Sequence, residues 1–417
     1  MKIYLPIFSH SASGKVFDLE IEQNPGIGGT QHVTILLASR LAKAMPYWNI
    51  YLVNYASINL LASSTNLKQL KVDTFKDFCK ILSTPEEVNS RSIISATLLE
   101  GSSVEELRVI SNKIFCWFHH PFYFKNILKE ADFLGYICVG AYQHASNCDF
   151  YPRCIHIQNI FAAPKRSISD KDNNINCLKT PLRLVHLGAL VPDKGFLHIA
   201  KQWKYLKRSF ANIRLDIIGS ASTYNATTET HDLIPAKHSY ANKILEFIPE
   251  SDIHSGHCVF HGNLGNEKNE IIEASHFALQ NPTGIREAFP ASPLECMALG
   301  TPVIASGDYG MGDAMQYFPN LEIKRPSQII NKIQTFYSSI YSYNEVKYRS
   351  ISVANMFALN SDSAIWKWIR ILNASQDNIK AEKPYLPNRM GQNISLSRLN
   401  YRKAKSNLKS SIKRLYK

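Results

Sequence analysis

Residues 182–208, "LRLVHLGALVPDKGFLHIAKQWKYLKR", read as a strand, a turn punctuated by Pro192 and Gly195, and a helix. A second strand-like run, "IRLDIIGS" at 213–220, follows at once. Strand, helix and strand in that order imply parallel pairing through a crossover. The pattern continues outward with "HCVFHGNL" (257–264), "NEKNEIIEASH" (266–276), "FALQNPTG" (277–284), "SPLECMALG" (292–300) and "TPVIAS" (301–306). It also appears earlier in the chain. "MKIYLPIF" (1–8), "NIYLVNY" (49–55), "KIFCWF" (113–118) and "DFLGYICVG" (132–140) read as strands, and "NPGIGGTQHVTILLASRLAKAMP" (24–46) as a Gly-rich loop opening a helix.

These runs predict an α/β fold of two Rossmann-like, doubly wound domains facing a cleft. The expected boundaries are a first domain over 1–162, a polar linker over 163–180 and a second domain over 181–345. Helices over 346–380 are expected to cross back to the first domain, and a basic amphipathic tail to occupy 381–417. In open parallel sheets, ligands bind beyond the carboxyl ends of the strands, which places the site in the cleft.

The composition narrows the class. A chain of 417 residues exceeds one ordinary core, and 45% hydrophobic with 19% charged residues describes a globular chain. No apolar run reaches the ~18 residues of a membrane span, and the opening residues read as a strand, not as a secretory signal. The eight cysteines show no C-x-x-C spacing, so a reduced, cytoplasmic protein without structural zinc is expected. Net charge is +13, but residues 383–417 hold ten Lys/Arg and no Asp/Glu, leaving +3 for everything before them. The basic character belongs to the tail. Its residues Tyr401, Ala404, Leu408, Ile412 and Leu415 recur at helical steps, so an anionic membrane surface is its expected partner, ahead of a solvated tail or nucleic acid.

The chemistry concentrates in "REAFPASPLECMALGTPV" (286–303), which carries Glu287 and Glu295. Ser292-Pro293-Leu294-Glu295 fits a capping box, with Ser292 as N-cap and Gly300 as the left-handed residue that ends the helix. That accounts for Glu295 and leaves Glu287 unexplained. A helix start facing the cleft favours an anion, whereas two carboxylates favour hydroxyl groups such as a vicinal diol.

Glu287 and Glu295 with their surroundings, "NPTGIREAFPASPLECMALGTPVIAS", resemble the E-x7-E segment of family 4 glycosyltransferases, within the retaining GT-B group. "HLGALVPDKGFLHIAKQW" is similar to the family's first strand and helix of the nucleotide-binding domain, with Lys194 where members place a lysine against the donor diphosphate. Ala189 departs from the pattern, standing where many members have an arginine, and Arg286 is the expected compensating cation. Gly28-Gly29 matches the family's Gly-Gly, and His119 of "CWFHHPF" matches its cleft histidine. His120 is expected to point the other way if the strand continues.

The resemblance implies a metal-independent sugar transfer from a nucleotide-diphosphate sugar to a glycan or lipid-linked acceptor, with no other cofactor. Glu287, His119 and Lys194 are the implied catalytic residues. Gly28, Gly29, Phe289, Pro290, Ala291, Ser292, Glu295 and Arg286 are the implied donor-binding residues. The implied setting is cell-surface polysaccharide or lipopolysaccharide synthesis, in the cytoplasm or peripheral on the inner face of its membrane. A sugar-nucleotide epimerase of the same fold and a non-catalytic membrane- or nucleic-acid-binding relative are the alternatives. "DKD" at 170–172 looks like a metal motif but sits in the polar linker, where a solvated charge run is expected.

Overall fold

The short apolar runs build two parallel sheets. In the computed structural model, residues 1–8, 15–20, 22–61, 64–120, 126–166, 181–223 and 228–383 are described. β1 (Lys2–Pro6), β3 (Asn49–Asn54), β5 (Leu67–Lys71), β6 (Arg91–Ser95), β7 (Ile114–Phe118), β8 (Gly135–Cys138) and β9 (Cys154–His156) form the first sheet. Their spatial order is β5-β3-β1-β6-β7-β8-β9, and β2 (Val16–Asp18) pairs separately with β4 (Asn59–Leu61). The second sheet holds β10 (Leu182–Leu187), β11 (Ile213–Ile218), β12 (Cys258–Gly262), β13 (Phe277–Leu279), β14 (Val303–Ser306) and β15 (Glu322–Ile323), in the order β12-β11-β10-β13-β14-β15. Every ladder is parallel. The two-domain α/β reading holds.

Parallel strands covered on both faces need continuous apolar sequence, and β7, "IFCWF", is buried at every position. The edge strand β5, "LKQLK", keeps only Leu67 buried and turns lysines outward, which protects an open edge. Strand order reverses between β1 and β6 and again between β10 and β13. Each reversal opens a crevice at the carboxyl ends of the strands. The cleft lies between them.

One helix links the two halves. Tyr343, near the start of the helix Ile340–Asn373, donates its hydroxyl to the His276 carbonyl in the second domain at 3.0 Å. Further along, Ser361 Oγ accepts from Phe161 N at 2.9 Å, and Trp368 packs edge-on against Trp117 of β7, ring centres 5.6 Å apart. The helix runs unbroken through position 345, where Tyr343, Val346, Lys347 and Ser350 stay buried at helical spacing. Beyond it, Glu382 N donates to Cys154 O at 3.0 Å, placing that segment against β9.

Residues 167–180, which include "DKD", and 384–417, which include the amphipathic tail, lie outside the described residues. Among the described residues no helix is long and apolar enough to cross a membrane. The seven described cysteines are free thiols.

Candidate functional site

β10 and β13 are neighbours where the second sheet reverses, and the chain leaving each lines a cleft of about 630 Å³. After β10, Pro192–Lys194 make one 3-10 turn closed by Gly195 at φ 75°. A Cβ on Gly195 would stand 2.6 Å from Asn281 Oδ1, so glycine is what lets the two loops meet. Lys194 then reaches Glu287, its Nζ donating to Oε1 at 2.9 Å, and Asn281 Nδ2 donates to the same oxygen at 3.3 Å.

The loop carrying Glu287 is held by its own sequence. Asn281 Oδ1 accepts from the Thr283 hydroxyl at 2.8 Å, and Gly284 takes φ 65° with Asp308 O only 2.4 Å from where a Cβ would sit. Gly310 N then donates to the Glu287 carbonyl at 2.9 Å. Arg286 also adopts a left-handed φ of 61°, and its guanidinium pairs with Asp193 at 3.1 Å near the mouth of the cleft. Ala189 lines the cleft as well. The cation expected to compensate for it is therefore held by Asp193.

The capping-box expectation fails. The helix runs Ala291–Ala298 with Pro290 as N-cap and no side-chain cap, so Ser292 lies inside the first turn. Its hydroxyl faces the Gln280 amide at 3.4 Å, while Glu295 turns to Lys268, Oε2 to Nζ 2.6 Å. The helix starts earlier than the sequence suggests because the 281–290 loop already delivers a turning backbone at Pro290, with Leu294 N bonded to Pro290 O. Gly300 does close the helix at φ 83°. Glu295 is thus freed from capping and paired with a lysine that is 8% exposed, the carboxylate itself 17% exposed.

The opposite wall comes from the first domain. Gly28 is the N-cap of the helix Gly29–Ala44, at an ordinary φ of −59°, and a Cβ on Gly29 would meet nothing within 4 Å. The glycine whose backbone demands it is Gly26, at φ 87° and with Leu264 O of the second domain 3.0 Å from a would-be Cβ. His32, one turn into the helix, lies by the Lys268–Glu295 pair; burial pushes its pKa down to about 4, against the pull of Glu295 and with the push of Lys268. Its Nε2 has no partner among the described residues.

His119 packs on Trp117 with ring centres 4.3 Å apart, and burial, helped by His120, pushes it down to about 3. Both imidazoles stay neutral near neutral pH. β7 ends at Phe118, so strand alternation stops there, and His120 lines the cleft beside His119 instead of pointing away. Of the expected residues, Glu287, His119, Lys194, Gly29, Phe289, Ala291, Ser292, Glu295 and Arg286 all line the cleft; Gly28 and Pro290 do not.

Sequence reading missed His32, Lys268 and Asn281. It also missed three further orphaned acceptors or donors on the cleft wall: His186 Nε2, Asn159 Oδ1 and Asn269 Oδ1 have no partner among the described residues, like His32 Nε2 and His119 Nε2. Unpartnered buried polar atoms are costly in a finished core, and gathering five in one cleft is what a polar ligand site does.

Residues 168–339 match the family model described as Glycosyl transferases group 1. The matched stretch contains Lys194, Lys268, Glu287 and Glu295. A lipopolysaccharide 1,2-N-acetylglucosaminetransferase of Salmonella typhimurium is 26% identical over 164 residues, 38% of this chain and 39% of that protein. The chain thus aligns with about two fifths of the curated relative it matches. Among solved structures, a sucrose-phosphate synthase of Thermosynechococcus elongatus superposes with TM-score 0.62 at 13% identity, over 89% of this chain and 98% of that one. The Anabaena protein HepE, solved with UDP, superposes with TM-score 0.57 at 13% identity, over 89% and 99%. The shared fold is GT-B, two Rossmann-like domains about a cleft.

Proposed function

We propose that the chain is a metal-independent glycosyltransferase that moves a sugar, with retention, from a nucleotide-diphosphate sugar to a hydroxyl of a glycan or lipid-linked acceptor. The observation that carries this reading is the pair of Lys–Glu couples, Lys194–Glu287 and Lys268–Glu295, flanking one helix start in the cleft. A nucleotide-diphosphate sugar offers hydroxyls to both carboxylates and phosphate oxygens to both lysines. Glu287 would hold the transferred sugar and Glu295 the ribose diol. Lys194 and the amides at Ala291 and Ser292 would stabilise charge growing on the departing phosphate. The acceptor hydroxyl would attack from the same face and pass its proton to that phosphate. Neutral His119, its Nε2 unpartnered among the described residues, would orient the sugar from the other domain.

Uridine nucleotides are the first donors to test, since HepE binds UDP. The Salmonella relative supports an acceptor in lipopolysaccharide or other cell-surface polysaccharide synthesis. The basic tail is proposed to hold the protein on the inner face of an anionic membrane, which vesicle sedimentation of the full chain and of residues 1–383 compares. For the reaction itself, UDP-, GDP- and ADP-sugars are screened by thermal shift, and hits are incubated with and without acceptor glycans. Transfer that requires acceptor supports the reading. Conversion of donor alone to an epimer, or no nucleotide binding at all, sinks it.

A further inference from the structure

Asp313 stands outside the cleft lining yet joins the two domains. Its Oδ2 accepts from Ala141 N at 2.9 Å and its Oδ1 from Tyr142 N at 3.4 Å, at the start of the first-domain helix Ala141–Asn147. That helix has Gly140 as N-cap and so no cap of its own. A Cβ on Gly140 would lie 2.3 Å from Ala288 O and 2.6 Å from Asp313 Oδ2. The cap is therefore supplied by the other domain, at a junction only glycine fits.

Each side of this junction leads to a residue of the cleft. On the first-domain side, the same helix carries Gln143, fully buried, whose Nε2 donates to Phe118 O at 2.9 Å and also to His120 O. Its Oε1 accepts from Val139 N at 2.6 Å. Gln143 thus pins the backbone on both sides of His119. On the second-domain side, the 309–313 segment donates Gly310 N to the Glu287 carbonyl at 2.9 Å. Tyr309 of that segment packs edge-on against Tyr142, ring centres 5.7 Å apart.

We propose that Asp313 and Gln143 are positioning residues that set the register of His119 against Glu287 across the cleft. The proposal rests on the reading of those two as facing groups on one sugar. At a pH above about 7, where Asp313 is ionised despite its burial, its carboxylate accepts from both helix amides at once. The isosteric amide of Asp313→Asn accepts from one and turns its own N–H toward the other, so the junction loosens without loss of volume. A displacement of about an ångström at the reacting groups costs on the order of a hundredfold in rate.

The test uses the full chain and compares wild type, Asp313→Asn, Gln143→Met and the double variant. Calorimetry with UDP reads the second-domain contacts, steady-state transfer reads kcat, and small-angle scattering reads domain separation. The expected result is kcat lowered ten- to a hundredfold in each single variant, with UDP affinity within twofold of wild type. Asp313→Asn alone is expected to enlarge the radius of gyration with UDP bound. Because the two residues act in series, the double variant should lose little more than the worse single. Unchanged kcat in both singles overturns the proposal, and so does UDP affinity falling in step with kcat, which would mark a merely structural role. Should Asp313→Asn fail to fold, Gln143→Met alone still decides by its split of kcat from UDP affinity. Absence of transfer in wild type would instead fail the glycosyltransferase reading, while the scattering comparison would still test the junction.

Discussion

Glu287→Gln is expected to strengthen binding of UDP while nearly abolishing transfer. The Lys194–Glu287 contact is 2.9 Å long, with the side chains 25% and 14% exposed. At an effective dielectric of about 20, two unit charges at that separation attract by roughly 6 kcal/mol. Desolvation of both groups consumes most of this, leaving a net of about 1–3 kcal/mol, the range of charged hydrogen bonds. On the proposed role of Lys194, a diphosphate would have to draw its ammonium off Glu287, and that cost would oppose binding. Glutamine keeps the shape and a weaker acceptor, so roughly 1 kcal/mol of the cost disappears and UDP binds about fivefold more tightly. Transfer behaves oppositely: the carboxylate that would hold the sugar hydroxyls is gone, and kcat/KM falls ~100-fold or more. Calorimetry with UDP and transfer assays on the same preparation measure both, with Lys194→Met as the control that weakens UDP binding at least ~tenfold. If Glu287→Gln binds UDP more weakly than wild type, Lys194 is not shared between carboxylate and phosphate and the argument is refuted.

Lys268→Met should raise the pKa of His32 from about 4, because Lys268 pushes it down and Glu295 pulls it up; an NMR titration in which it stays at or below 4 contradicts the geometry. Gly219→Ala should destabilise the second domain by ~3 kcal/mol or more, since Gly219 has φ 135° and a Cβ would lie 2.0 Å from Gly188 O, next to the cleft; thermal unfolding unchanged within a degree or two excludes that clash. Acidification should destabilise the fold between pH 6.5 and about 4: His32, His156 and His186 are pushed down to about 4 and His119 to about 3, so the unfolded chain binds more protons there. Each such histidine removes about 1.4 kcal/mol per pH unit, while Asp313, raised by burial to about 7, works in the opposite sense over part of the range; urea unfolding that is flat from pH 7 to 5 refutes the burial of these rings.

What could be read from the sequence was what repeats or what has a local signature. Buried strands such as "IFCWF" and "GYIC" announce themselves by their run of apolar residues. β9, three residues long, and the lysine-rich edge β5 do not, because a short or exposed strand loses the pattern that burial imposes. Gly300 was legible as a helix stop since its left-handed backbone has one favoured residue. The helix start was misplaced: a capping box is a preference worth about 1 kcal/mol, and the buried Lys268 competed for Glu295 from a strand and a loop away. Lys268, Asn281, Gln143 and Asp313 carry no spacing at all. Each is a single polar residue whose meaning lies in a partner far along the chain, as Asp313 finds Ala141.

The two Lys–Glu couples bear on selectivity as well as affinity. In a cleft whose histidines are held neutral, a free anion gains a lysine only by stripping it from its glutamate, which leaves that carboxylate without a counter-charge. A neutral sugar has the converse difficulty, since the glutamates already have donors. A ligand that brings hydroxyls and phosphates together replaces both halves of each couple in one event, with no charge left exposed. On the proposed assignment, free UDP would replace only the Lys268–Glu295 couple fully and would pull at Lys194 alone. On this reasoning the intact donor should bind more tightly than UDP, and Glu287→Gln should close that gap from both sides.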